Sequence, residues 1–122
     1  MAFKLVLTAV LATLMVTSGG QSTPRTKYTA AQYLKNFALS TCLADAFKSD
    51  EVIKEAAAAA GGYLELGALP LEAHTEATQL GRKFLEKEYK SISGQKLVVM
   101  KCIDFFHSSE LDQLARKYAG KK

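Results

Sequence analysis

The stretch that most constrains the fold is the apolar segment at residues 33–47, which reads YLKNFALSTCLADAF. At about 100° per residue, its apolar side chains fall on nearly every face of a helix. A helix of that kind lies either in the middle of a helical bundle or in a membrane. Because Lys35, Asn36 and Asp45 interrupt the run, a membrane span is disfavoured. We therefore predict a central core helix, and this helix carries Cys42.

Residues 1–20 have the pattern of a signal peptide. A short basic start precedes an apolar run at residues 5–16, which is too short to span a bilayer. Small residues follow this run, so cleavage is expected near Ser18 or Gly20. A buried N-terminal helix is the disfavoured alternative, because the segment has neither an amphipathic pattern nor a cap. The predicted organisation is a signal peptide at 1–20 and a single helical domain at 21–122, with no membrane span once the signal is removed.

The sequence contains two cysteines, Cys42 and Cys102. In an exported chain such a pair most simply forms one disulfide. Closing the long loop between them would stabilise the fold by about 4 kcal/mol, as an upper estimate. That is a large share of the roughly 5–10 kcal/mol by which such a domain is stable.

Apolar positions at helical spacing predict two further helices after the central one. The second begins after Ser49 and weakens at Gly61 and Gly62, since glycine is a poor helix former. The third has Pro70 in its first turn and ends before Ser91.

Residues 95–107 are ambiguous between strand and helix. The run LVVM at 97–100 fits a buried strand, yet the longer pattern also has helical spacing, and no partner strand is evident elsewhere. We favour a helix. A last short helix follows Ser108 or Ser109 and stops at Gly120. The predicted fold is all-α, a small bundle of about five helices in which one disulfide joins the first helix to the fourth.

The connection at residues 63–71 reads YLELGALPL and is unusual because it is apolar. Gly67 and Pro70 break helices, and loops normally lie on the surface. An apolar surface loop either packs into the protein's own core or is kept for a partner. The residues alone leave both possibilities open.

No pattern in the sequence supports a catalytic site. A nucleophile at Cys42 or Cys102, with His74 or His107 as the base, would need a reduced and exposed thiol. A disulfide is favoured instead in an oxidising compartment. Zinc would need three or four clustered ligands, which isolated residues do not provide. We expect no catalytic residue, no metal and no cofactor, and we expect His74 to be a solvated helix residue.

The net charge of +4 at pH 7 is mild. Basic residues are dispersed, and no basic stripe with interleaved aromatic residues occurs, so nucleic-acid binding is disfavoured. A small exported helical module with an apolar connection is the profile of a binding protein.

The segments LKNFALSTC at 34–42, VVMKCIDFF at 98–106 and LDQLARKY at 111–118 carry a family resemblance. Together they resemble the immunity proteins that are paired with amidase effectors of type VI secretion systems. The resemblance extends over residues 28–118. It implies a periplasmic, all-helical homodimer without enzymatic activity of its own. It also implies that the partner is a papain-like cysteine amidase that cuts peptidoglycan stem peptides next to D-glutamate, and that the immunity protein blocks this enzyme.

One hypothesis for the mechanism is that the connection at residues 61–71 plugs the amidase cleft. Its glycines would permit a narrow turn, its leucines would serve as apolar anchors, and Glu65 or Glu72 would imitate the substrate carboxylate. The rival contact is the turn at residues 92–96 together with the terminal helix. The predicted partner-binding residues are Gly61, Gly62, Tyr63, Leu64, Glu65, Leu66, Gly67, Leu69 and Glu72.

Two other classes of function are compatible with the residues. A small periplasmic acid-stress chaperone, also helical with one disulfide, would unfold and bind clients at about pH 2–3. A cysteine-dependent hydrolase would require a reactive thiol at Cys42 or Cys102.

Overall fold

The computed structural model of the chain describes residues 26–120. The predicted signal peptide and its cleavage sites therefore lie outside the described residues. Within them the chain forms helices α1 (Ala30–Ala46), α2 (Asp50–Leu66), α3 (Leu71–Leu85), α4 (Val98–Phe106) and α5 (Ser109–Ala119), and no strand. The all-α prediction is confirmed, and the ambiguous segment 95–107 is helical at Val98–Phe106.

Two of the helices, α1 and α5, begin at residues whose side chains cap them. Thr29 caps α1 in a capping box, because its hydroxyl accepts from the Gln32 backbone N–H while the Gln32 side chain accepts from the Thr29 N–H. Ser108 caps α5 by accepting from the Leu111 backbone N–H. These bonds satisfy donors that a helix N-terminus otherwise leaves unpaired.

Helix α1 is the centre of the bundle, as its apolar faces predict. It packs against each of the other four helices. Among those four, α3 also packs against α4 and α5. A helix with this many neighbours needs apolar residues on several faces. The buried core that results consists of Leu34, Ala38, Cys42, Ala73, Ala77, Phe84, Cys102, Phe105, Leu111, Leu114 and Ala115.

The predicted disulfide is confirmed. Cys42 of α1 and Cys102 of α4 are bonded across a sequence separation of 60 residues, and both are buried in the core. Because this bond uses both cysteines of the chain, neither sulfur is a free nucleophile, which contradicts the hydrolase alternative.

Helix α2 continues through the glycine pair, so the prediction of a weakened end at Gly61 and Gly62 and of a connection from residue 63 was wrong. The true connection is residues 67–70. Two glycines lower helix propensity by about 2 kcal/mol in total. Ala60, buried on the inner face, and Tyr63, whose ring contacts that of Tyr33 at 6.4 Å, supply the opposing tertiary contacts.

Helix α3 ends at Leu85, several residues before the predicted end near Ser91. The Lys101 amine of α4 donates to the Leu85 carbonyl at 3.1 Å, so this carbonyl accepts a bond from outside its own helix. The segment 86–97 that follows is a long connection to α4. Because Lys101 is 16 residues from Leu85 in sequence, the residues around Leu85 do not predict this contact or the helix end.

His74 is buried, which contradicts the prediction of a solvated residue. Its side chain is 2% exposed, its Nδ1 lies 3.1 Å from the Pro70 carbonyl oxygen, and its ring meets that of Phe37 edge to face. Its Nε2 has no hydrogen-bond partner among the described residues. The burial follows from how α1 packs on α3, which a single histidine in the sequence does not reveal.

None of the helices at residues 26–120 combines the length and the apolar character needed to cross a membrane.

Candidate partner-binding surface

The residues predicted to contact a partner lie at the corner where α2 ends and α3 begins. The helical members of this set are Gly61, Gly62, Tyr63, Leu64, Glu65 and Leu66 in α2, and Glu72 in α3. Gly67 and Leu69 lie in the short connection between the two helices. The connection predicted at residues 61–71 is therefore a helix end followed by a short connection at residues 67–70.

Two residues of this set hold the corner together rather than project from it. The Tyr63 ring packs against those of Tyr28 and Tyr33, at centroid distances of 6.3 and 6.4 Å. Leu69 packs against the core. What remains outside is an apolar group made of Leu64, Leu66 and Leu71, the last of which is 69% exposed. We call Leu64, Leu66, Leu71 and the flanking Glu65 and Glu72 the corner surface.

A second surface lies at the other end of α3, in the long connection to α4. Ile92 is fully exposed there. The chain reverses around it, because the Gly94 N–H donates to the Ser91 carbonyl at 3.3 Å, and Gly94 has φ 76°. That positive φ suits glycine, which has no Cβ to clash.

Serine hydroxyls stiffen this turn from within. The Ser93 backbone N–H donates to the Ser91 hydroxyl at 3.1 Å, and the two hydroxyl oxygens are 2.7 Å apart. The Gln95 N–H donates to the Ser93 hydroxyl at 3.4 Å. Short polar side chains of this kind replace the backbone bonds of a regular element. Ile92 is thus presented by an ordered turn.

The turn adjoins an apolar face of α4. A groove of 650 Å³ runs between the end of α1 and this region, and its lining includes residues 94–97, Val99 and Met100. Val99, Met100 and Ile103 are each about half exposed. We call Ile92, residues 94–97, Val99 and Met100 the turn surface.

The exposed side of α4 was missed in the sequence, although a signal for it existed. Lys101, Cys102 and Phe105 are buried, whereas Val99, Met100 and Ile103 lie at helical spacing on the opposite, exposed side of the helix. A short helix that is apolar on both sides buries only one of them when it packs at the edge of a small bundle. The other side is then available to a partner.

Positive charge flanks the turn surface. Lys96 belongs to this surface, and Lys48 lines the same groove. At its base the Tyr89 hydroxyl donates to Asp104 at 2.6 Å, and this hydrogen bond raises the pKa of Tyr89 above its ordinary value, because the phenolate would face a carboxylate.

The corner surface and the turn surface lie at opposite ends of α3. A helix rises about 1.5 Å per residue, so the 15 residues of α3 separate the two by about 22 Å. A single narrow contact does not reach both. The described residues hold no group of three or more His, Cys, Asp or Glu side chains arranged to bind a metal ion.

These features define a small helical module, joined by one disulfide, whose distinctive surfaces are exposed apolar contacts. The family model described as type VI secretion system (T6SS), amidase immunity protein, Tai4, matches residues 32–115. The chain therefore belongs to the Tai4 family of T6SS amidase immunity proteins. The family resemblance of the sequence segments is thereby confirmed, and the acid-stress chaperone alternative is superseded.

Solved structures agree with this assignment. The Tae4/Tai4 effector–immunity system from Salmonella typhimurium is similar, with 38% identity, a TM-score of 0.70 and coverage of 74% of this chain and 89% of that one. A structure from work on type VI-secreted toxins and self-resistance proteins in Serratia marcescens shares 27% identity at a TM-score of 0.68, covering 81% and 87%.

A complex of Salmonella typhimurium Tae4 with the immunity protein Tai4 from Enterobacter cloacae shares 21% identity at a TM-score of 0.69, covering 78% of this chain and 99% of that one. At this identity the likeness concerns the fold. No curated protein sequence matches the chain.

Proposed function

We propose that this chain binds a Tae4-type peptidoglycan amidase effector, a papain-like cysteine enzyme, and inhibits it by occluding its active-site cleft. It acts by binding and carries out no catalysis. Family membership supports the partner class, since the Salmonella typhimurium relative belongs to a Tae4/Tai4 effector–immunity system.

The observation that carries this proposal is the turn surface. A cleft is filled best by a narrow, convex and ordered segment that contributes an apolar anchor. The turn at residues 91–94 has this form, because it is hydrogen-bonded internally and exposes Ile92 completely.

The corner surface suits a different contact. Leu64, Leu66 and Leu71 form an exposed apolar group at the ends of two helices. We propose that it joins two copies of the chain in a homodimer, since homodimer interfaces are more apolar than the rest of a protein surface. The alternative, in which Leu66 and Glu65 enter the amidase cleft, makes the opposite prediction in the experiment below.

The proposed site of action is the periplasm. An amidase that cuts peptidoglycan meets its substrate there, and a disulfide persists in that oxidising compartment. The signal peptide at residues 1–20 would direct export, with cleavage near Ser18 or Gly20 and a mature helical domain at 21–122.

The test is co-purification of residues 21–122 with Tae4-type amidases, followed by a peptidoglycan cleavage assay. The expected result is tight co-elution and loss of cleavage. Ile92→Asp should weaken inhibition at least about 30-fold, because it replaces a central apolar anchor by a charge. The fold should be unaffected, since Ile92 has no buried side-chain surface.

The matched comparison is Glu65→Arg combined with Leu66→Asp in the corner surface. We expect this variant to inhibit fully and to elute as a monomer in size-exclusion chromatography with light scattering. If this variant loses inhibition but remains a dimer, the corner surface, and not the turn surface, contacts the amidase cleft. Absence of binding by the unmodified chain to every such amidase would overturn the proposed function.

A further inference from the structure

The segment 86–97 is longer than most helix–helix connections and contains no regular element. A segment of this length is costly to order when it binds, unless it is already held in the binding conformation. The turn hydrogen bonds at residues 91–95 fix only its tip. The contacts at its base determine where that tip points.

The first base contact is made by Lys101. Its side chain is buried, and its amine donates to the carbonyl of Leu85, the last residue of α3. Carbonyls at a helix C-terminus lack partners within the helix, and a cation is favoured there. This bond fixes the point at which the connection leaves α3.

The second base contact is made by Tyr89. Its hydroxyl donates to Asp104 at 2.6 Å, and its ring lies 5.7 Å from the Lys101 amine. Lys101 and Asp104 are three residues apart on α4, so they share one side of that helix. The next residue after Lys101 is Cys102, whose disulfide joins α4 to α1. The connection is therefore attached at its base to the covalently anchored helix.

We propose that Lys101, Tyr89 and Asp104 form a clamp that positions the turn surface for binding. The inference rests on the proposed function of that surface. These positioning residues do not themselves enter the amidase. Their effect is to raise the fraction of molecules in which Ile92 is already presented correctly.

This mode of action has a kinetic signature. A positioning contact changes the population of the competent conformation, so its loss lowers the association rate constant and leaves the dissociation rate constant nearly unchanged. A residue that touches the partner acts mainly on dissociation instead. The two roles are therefore separable by one binding experiment.

The test uses the chain at residues 21–122 and the amidase that co-purifies with it, measured by surface plasmon resonance. Tyr89→Phe and Asp104→Ala should each lower the association rate constant about three- to tenfold, the usual effect of one such hydrogen bond. The double variant should be no slower than either single variant, because both remove the same bond. Lys101→Met should act in the same direction, and Lys101→Arg, which keeps a donor, should restore part of the rate.

The chain offers a matched control in Tyr118. Its hydroxyl also donates to a carboxylate at 2.6 Å, that of Glu76, but between α5 and α3 and away from the connection. Tyr118→Phe should leave both rate constants unchanged. If Tyr89→Phe and Tyr118→Phe behave alike, or if Tyr89→Phe changes only dissociation, the clamp is refuted.

Hydrogen exchange of the free chain tests the clamp without any amidase. Amides at residues 90–96 should exchange faster in Tyr89→Phe than in the unmodified chain, and not in Tyr118→Phe. Unchanged exchange refutes the clamp whatever the partner. Faster exchange in a chain that binds no amidase supports the clamp while overturning the proposed function.

Discussion

At the scale of single residues, the sharpest constraint is the contact between Gly81 and Phe105. A Cβ at position 81 would lie 2.9 Å from Cε2 of Phe105, whose ring is completely buried. Two helices approach closely here because one of them lacks a side chain. The apolar spacing of α3 places Gly81 on the inner face, but it does not reveal which ring rests there.

We predict that Gly81→Ala destabilises the protein by about 1–2 kcal/mol. Alanine gains about 1 kcal/mol of helix propensity, and overpacking against a ring that cannot move outweighs this gain. Chemical denaturation monitored by circular dichroism gives the free energy of unfolding. A stabilised variant would mean that the Phe105 ring relaxes freely.

His74 and Ile92 show when the exposure of a side chain can be predicted from the sequence and when it cannot. A histidine within a polar pattern resembles a solvated residue, and its burial depends on Phe37, which is 37 positions away in the chain. Ile92 lies in the turn that the sequence predicts at residues 92–96, and its side chain is fully exposed. The burial of His74 is set by a contact distant in sequence, whereas the turn at Ile92 and the caps at Thr29 and Ser108 depend on neighbouring residues and were predictable.

At the scale of elements, helix α2 shows tertiary packing overriding the low helix propensity of its two glycines. Its glycines have open space around them, since a Cβ at either Gly61 or Gly62 would meet nothing within 4 Å. The helix therefore tolerates the glycines without needing them. Local propensity predicted a break there, and the inner-face packing of Ala60 and Tyr63 overrode it.

We predict that Gly61→Ala and Gly62→Ala each stabilise the protein by about 0.5–1 kcal/mol, because alanine is the better residue in a helix interior. The same denaturation experiment measures both. Gly81→Ala is the matched control, as it makes the identical chemical change where space is absent. A loss of stability at Gly61 or Gly62 would indicate that α2 ends before them.

At the scale of the whole molecule, the disulfide between Cys42 and Cys102 is the strongest single constraint. Its burial in the core and its loop of 60 residues predict a contribution of about 4 kcal/mol through the entropy of the unfolded chain. This bond could be predicted from the sequence, because the two cysteines of a chain with a predicted signal peptide have only one internal pairing.

We predict that Cys42→Ala combined with Cys102→Ala lowers the free energy of unfolding by about 3–5 kcal/mol. Urea denaturation of this variant beside the oxidised and the reduced unmodified chain measures the loss. The reduced chain serves as the control, because it keeps both sulfur atoms. A loss below about 1 kcal/mol would show that the helical core alone determines stability.

Acid should weaken the contact that joins α5 to α1. Lys35 pairs with Asp112 at 2.8 Å, and this hydrogen bond holds the pKa of Asp112 below its ordinary value. The folded chain therefore binds fewer protons than the unfolded chain, so the stabilisation is present above about pH 4 and is lost as the pH falls below it.

We predict that Asp112→Asn flattens this acid dependence of the urea midpoint between about pH 3 and pH 6. Asp45→Asn, which alters the longer ion pair of 3.3 Å with Arg82, is the matched control and should change the profile less. An unchanged slope in Asp112→Asn would assign the acid dependence to other carboxylates.

All the other helices pack against α1. Among the described residues, α2 packs extensively against α1 alone. The other four helices share a core that contains the disulfide, whereas α2 has one buried residue, Ala60, which is not part of that core. Thermal fluctuations that detach α2 therefore break one interface and leave the remainder assembled. Local opening of the molecule should begin at this helix, well before cooperative melting, and it would leave α4 and the turn that precedes it in place.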